Sequence, residues 1–267
     1  TAVEDMLFLA GVLNSDVCNF VFKHIARPKD GGYFDIETQY LAPLPVPKAS
    51  QVDKERVKTF VKSLGELQAE HASAVAALNK RIAKCEWVEK PVEWLWPSVR
   101  SLETWIKKAD TSLSVRDQKR FAKEQQAKQV RDAIDTLRER LRPRAQLLVE
   151  VEKLALTIRD QGVVVVDSVF VTKEEAKQVV MNWRHFLRQN PISEDTDPEA
   201  FARGLCRIRM TDNPTIAAQL CELDKEVAAL EKHICKAEAD LNALISGLYK
   251  LSEKEKATVR SEPLLAG

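Results

Sequence analysis

Two long heptad stripes dominate the pattern of apolar and polar positions. Over residues 53–85 the seam steps by alternating fours and threes through Val57, Val61, Leu64, Gln68, His71, Val75, Leu78, Ile82 and Cys85. Such a narrow stripe suits a helix that meets one partner helix along its length. A cleaner seam runs Ile216, Leu220, Leu223, Val227, Leu230, Ile234, Ala237, Leu241, Leu244 and Leu248. Asn213-Pro214 stands ahead of it as N-cap and first-turn proline. The two helices are alike in length and stripe, so the pattern predicts an antiparallel coiled-coil hairpin of 51–85 with 213–257. Residues 86–212 are then an inserted, mostly helical tip domain, and residues 1–50 precede the hairpin.

The first fifty residues read differently. Two short helices are expected at 6–14 and 16–25, with Ser15 as N-cap and Asp16 in the first turn. Arg27-Pro28 ends the second, Gly31 and Gly32 allow a tight turn, and "YFDI" reads as a short strand before Pro43, Pro45 and Pro47 force an extended exit. In the insertion, "CEWVEKPVEWLWPSVRSLETW" holds Trp87, Trp94, Trp96 and Trp105, read as a small core. A helix is expected at about 114–160, then "GVVVVDSVFV" as a strand, a helix at 173–189 and an acidic turn "SEDTDP". The fold class is mainly α, with one or two short strands.

Charge changes this picture little as a total and more in detail. There are 41 Lys and Arg against 40 Asp and Glu, a net charge of +1, so any basic surface is local. Between Arg116 and Arg144, ten Lys and Arg face five Asp and Glu. This stretch could follow phosphates or be a solvated helix face, and with pairs such as Asp135 and Arg138 available it is read as the solvated face. The five cysteines lack CxxC spacing, and neither a signal peptide nor a long apolar run is present; the expectation is a reducing, cytoplasmic compartment with no membrane partner. His233 and Cys235 diverge by roughly 200° on a helix and are not read as metal ligands. The chain opens at Thr1 and enters an apolar stretch almost at once, which reads as a piece of a longer protein.

The segment "LAGVLNSDVCNFVFKHIARPKDGGYFDIETQYLAPLPVP" carries, in order, Leu13-Asn14-Ser15, an aromatic-basic helix from Asn19 to Ile25, Gly31-Gly32-Tyr33-Phe34, Gln39-Tyr40-Leu41 and Leu44-Pro45-Val46-Pro47. It resembles the end of the target-recognition region in adenine-specific DNA methyltransferases and type IIG restriction-modification enzymes. In that family an "LLNS" segment leads through a Gly-Gly-aromatic turn and a "QYL" to an "LPIP"-like exit into helices. Residues 241–261, "LNALISGLYKLSEKEKATVRS", resemble the family's closing helix with its "LVYxLYGLT-EEE" phrase; Lys250 stands for its Gly and Ser252 for its Thr. Together the matches cover about a third of the chain. Residues 86–212 match no part of that family, and type I restriction specificity subunits are a near relative with similar spacer helices.

The resemblance implies double-stranded DNA as partner, a catalytic methyltransferase domain in the same parent chain, and S-adenosylmethionine bound by that parent, with no cofactor in this chain. Physically, Lys23, His24, Arg27 and Lys29 cluster near a turn where Gly31 and Gly32 let backbone N–H groups approach phosphates. These six are the candidate nucleic-acid-binding residues; Phe20, Phe22, Phe34 and Tyr40 are assigned to the core. No catalytic residue is assigned, since the Asn-Pro-Pro-aromatic motif and a Gly-rich cofactor loop are missing, leaving Asn190-Pro191 and Asn213-Pro214. Asp167 with Glu175 and Lys177 sketches a nuclease site. Glu175 and Lys177, however, open a helix behind Thr172, and capping accounts for them. A second class of function is a coiled-coil scaffold that docks a protein through the Trp-rich insertion.

Overall fold

The structure, a computed structural model, describes residues 2–28, 34, 36–91, 101–142, 145, 147–152, 155–160, 162–170, 173–193 and 195–261. Among them the protein is mainly helical. In chain order the elements are α1 (Ala2–Leu13), α2 (Asp16–Ile25), α3 (Thr38–Leu41), α4 (Gln51–Ala83), β1 (Val88–Pro91), α5 (Leu102–Lys108), α6 (Val115–Arg140), β2 (Leu147–Glu152), β3 (Ala155–Asp160), β4 (Val163–Phe170), α7 (Lys173–Gln189), α8 (Pro198–Cys206), β5 (Arg207–Met210), α9 (Pro214–Leu248) and α10 (Glu253–Ser261). The chain divides into two compact units, Thr1–Asn79 with Lys225–Gly267, and Lys80–Asp224.

In the first unit, helix starts follow side-chain caps. Ser15 Oγ accepts from the Cys18 N–H at 3.3 Å, fixing α2 where the sequence places it. Residues of α1, α2, α4 and α9 share one core: Phe8, Val12, Cys18, Val57, Leu64, Leu241 and Ile245. Residues 1–50 thus include helices built into the same unit as the long helices. Further along, His71 Nε2 of α4 lies 3.5 Å from Glu231 Oε1 of α9. The expected α9 seam is buried or half-buried at all ten positions. The α4 seam needs one correction: Gln68 is exposed, while Leu67 turns inward and Ala74 is more buried than Val75. At 3.6 residues per turn the stripe drifts against a strict seven-residue repeat, and the apolar neighbour takes the inward place. The second long helix also ends earlier than 257, at Leu248, with α10 separate.

The second unit has its own core. Strands β2, β3 and β4 form an antiparallel sheet in that order, with Val149 opposite Ile158 and Ile158 opposite Val166. Ala133 and Leu137 of α6, Val179, Val180 and Trp183 of α7, and Phe201 and Leu205 of α8 pack with Val149, Leu156, Ile158, Val165 and Val166. Trp183 is the central side chain, 1% exposed. Its Nε1–H donates to the Leu205 carbonyl at 3.0 Å, so its polar atom is satisfied inside the core.

Here the sequence reading is corrected twice. The helix expected to 160 stops at Arg140, and "LLVEVE" and "ALTIRD" are strands; among the described residues there are five strands, not one or two. Pro143 disfavours helix at the residue before it, and beyond it apolar residues alternate with period two. Of the expected "YFDI" strand, Tyr33 and Asp35 lie outside the described residues, and Phe34 forms an isolated bridge with Pro28.

β5 pairs antiparallel with β1, Val88 opposite Met210, across more than a hundred residues of chain. Two amide side chains of α7 serve as a surrogate strand beside it. Asn182 accepts from the Arg209 N–H at 3.3 Å and donates to its carbonyl at 2.8 Å. Gln178 does the same for Thr211, at 3.0 and 3.3 Å. Residues i and i+4 on a helix thereby satisfy residues i and i+2 of an edge that is otherwise open to pairing.

Candidate nucleic-acid interface

α2 carries the candidate site at its C-terminal end. Phe22, Ala26 and Leu44 are buried together, with Val21, Phe34 and Tyr40 packed against them. Phe22 and Phe34 meet edge to face at 6.2 Å between ring centroids. The aromatics therefore anchor the helix end, as expected, and Phe20 stands 4.5 Å from the His24 ring. Ala26 is extended, its N–H still bonded to the Phe22 carbonyl at 2.8 Å, and closes the helix one residue before Arg27-Pro28. Pro28 and Phe34 then form an isolated antiparallel bridge.

Of the six candidate residues, the structure describes three. Lys23 is half-buried, while His24 and Arg27 are exposed. His24 Nδ1 is 2.8 Å from the Phe20 carbonyl oxygen, a contact that holds the ring when Nδ1 carries the proton. Lys23 and His24 lie in the last turn, where cations complement the negative end of the helix dipole. Arg27 lies beyond the helix and is presented to solvent. Lys29, Gly31 and Gly32 fall outside the described residues. The exposed cationic groups suit phosphate contact.

The two Asn-Pro pairs are structural. Asn213 Oδ1 accepts from the N–H groups of Thr215 and Ile216 at 3.0 and 3.2 Å, capping α9. Asn190 donates to the Phe186 carbonyl at 2.8 Å. Asp167 lies on β4, with Glu175 and Lys177 on α7. Thr172 lies outside the described residues. Among the described residues no cluster of three or more His, Cys, Asp or Glu is arranged to hold a metal ion, and no single helix is long and apolar enough to cross a membrane.

The sequence alone did not show how the closing phrase meets the opening one. Tyr249 Oη donates to the Pro45 carbonyl and lies 3.4 Å from Cys18 Sγ. Burial, reinforced by Cys18, pushes the Tyr249 phenol well above its ordinary range, so it stays a donor. The Asp16 N–H donates to Asn242 Oδ1 at 3.0 Å. Tyr249 ends the apolar stripe of α9 with a hydroxyl that needs a partner, and this was the available signal.

Lys250, one of the two departures from the family phrase, has φ of 56°. The Leu251 N–H reaches the Ser246 carbonyl at 3.3 Å and the Lys250 N–H that of Gly247 at 3.0 Å, a Schellman ending whose left-handed residue is most often Gly. The other departure, Ser252, forms a capping box. The Ser252 N–H donates to Glu255 Oε2 at 2.7 Å, and Ser252 Oγ accepts from the Glu255 N–H at 3.4 Å. Thr serves that role equally well. Against known proteins, no family model, no curated protein and no solved structure matches this chain.

Proposed function

We propose that this chain is the C-terminal DNA-binding part of an N6-adenine DNA methyltransferase or type II restriction-modification protein. It positions duplex DNA for a catalytic domain elsewhere in the parent chain, which binds S-adenosylmethionine. In this reading 1–50 end the target-recognition domain, 51–85 and 213–257 form an antiparallel coiled-coil hairpin, and 86–212 are an insertion. The observation that carries it is the joint at Tyr249. The two stretches that resemble the family, some two hundred residues apart, are bonded to each other through Tyr249, Pro45 and Cys18 in one unit. The departure at Lys250 also falls where the backbone suits the family's Gly.

The test is the salt dependence of duplex binding. Arg27→Ala with Lys29→Ala is expected to weaken binding about equally on any sequence and to lower the slope of log affinity against log salt by roughly two. Arg27 is exposed, so the variant's melting temperature should match that of the unaltered protein. An unchanged slope in the folded variant removes the loop from the interface. The tryptophan-bearing segment would then be left to dock a protein partner.

A further inference from the structure

We propose that α6 carries a second phosphate-contacting surface, a basic stripe that lies along a nucleic-acid duplex. The inference rests on the DNA-positioning reading for the identity of the polyanion, and on the charge pattern of α6 for everything else. The buried face of this helix is settled by Ala122, Ala133 and Leu137. At about 100° per residue, Arg116, Lys119, Arg120, Lys123, Arg131 and Arg138 fall within an arc of roughly 120° to one side of the outward direction. All six are exposed. Asp117, Glu124, Asp132, Asp135 and Glu139 fall in the adjoining arc of roughly 80°. Of the exposed cations, Lys128 alone lies among the acids.

A helix stabilised merely by solvated ion pairs would interleave the two signs around its outer face. Here they are separated. Arg120 lies 3.8 Å from both Asp117 and Glu124, and Arg138 pairs with Asp135, so these two cations are spent in part on the acidic side. Arg116, Lys119, Lys123 and Arg131 show no ion pair among the described residues. From Arg116 to Arg138 the stripe is about 33 Å long, close to one turn of B-form DNA at roughly 34 Å.

A membrane surface is disfavoured by the same face. A helix that lies on lipid sets an apolar face beside its cations; the apolar face of α6 is buried in the core of its own unit, and of the four apolar residues within the basic arc, Val130 and Ile134 are half-buried, Leu137 is buried and Ala127 is exposed. The net charge of +1 means this stripe is a local field, not part of a uniformly basic protein.

The experiment uses the full chain and a fluorescently labelled duplex of mixed sequence, with affinity measured across a salt series. Neutralising the stripe by Arg116→Gln, Lys119→Gln, Lys123→Gln and Arg131→Gln is expected to lower the log–log salt slope by roughly three to four. Replacing Glu124, Asp132, Asp135 and Glu139 with their amides changes the same number of charges on the adjoining arc and should not lower it. An unchanged slope in the folded basic-stripe variant, while Arg27→Ala with Lys29→Ala still lowers it, overturns the stripe and leaves the loop standing. The reverse pattern keeps the stripe and removes the loop. Absence of salt-dependent duplex binding by the unaltered chain overturns both. If phosphatidylserine vesicles compete the duplex off and bind the unaltered chain but not the stripe variant, the surface is a membrane contact and the duplex proposal falls.

Discussion

Asp224 is the most deeply buried carboxylate of the second unit's charge network, and its removal should be costly. Its side chain is 3% exposed, with Oδ2 at 3.1 Å from Arg184 Nη1 and Oδ1 at 2.8 Å from Arg188 Nη1. The two arginines stand one turn apart on α7, so one carboxylate on α9 ties down two guanidinium groups. Breaking a fully buried ion pair from one side costs about 3–5 kcal/mol. In Asp224→Asn the cost is smaller, because Arg184 and Arg188 are 28% and 15% exposed and keep a route to water. The amide oxygen also still accepts one bond. These discounts leave about 2–3 kcal/mol, a fall in melting temperature of roughly 5–10 °C for a unit of this size.

The assay is urea unfolding followed by tryptophan fluorescence. All five tryptophans, at positions 87, 94, 96, 105 and 183, belong to the unit Lys80–Asp224, so the signal reports that unit. Replacing all three members together, with Asp224→Leu, Arg184→Met and Arg188→Met, should be far milder than Asp224→Asn, because it leaves no charge unpaired. If Asp224→Asn loses less than about 0.5 kcal/mol, the trio behaves as an ordinary surface pair and the argument from burial is wrong.

Two further outcomes follow from particular side chains. Lys250→Gly should stabilise the first unit by about 0.5–1 kcal/mol, because glycine adopts the left-handed conformation without the Cβ clash; urea unfolding followed by circular dichroism checks the sign. His185 is held below its ordinary pKa by burial, aided by the charge of Arg188 and partly opposed by Asp224. Protonation therefore favours the unfolded chain: the contribution is complete above about pH 6.5 and is lost as pH falls through that value toward the folded pKa. The melting temperature by fluorescence should drop between about pH 7 and about pH 5.5, more in the unaltered protein than in His185→Gln; equal drops would remove His185 as the cause.

What the sequence determined by itself was local. Ser15 and Asn213 mark helix starts because a cap needs no more than its own side chain and the next three residues. The helix at 173–189 and the ten-position seam of α9 were legible for the same reason, since a 3.6-residue period is written within one segment. The aromatic anchor at Phe22, Phe34 and Tyr40 and the exposure of Arg27 were also readable, from residue type and proximity along the chain.

The tertiary structure decided whatever depends on partners far away in sequence. β2 and β3 pair with each other, and a short apolar run of this kind fits either period until a neighbouring strand takes its hydrogen bonds. Nothing in the sequence sets Trp183 apart among five tryptophans, and it is the strands and α8 packed around it that make it the core. The Tyr249–Pro45 joint, the surrogate strand of Gln178 and Asn182 and the Asp224 clamp each join segments that no period links. The two-sided charge pattern of α6 belongs between these cases. Its residues are all in the sequence, but a stripe has meaning only once packing has fixed which face of the helix looks outward.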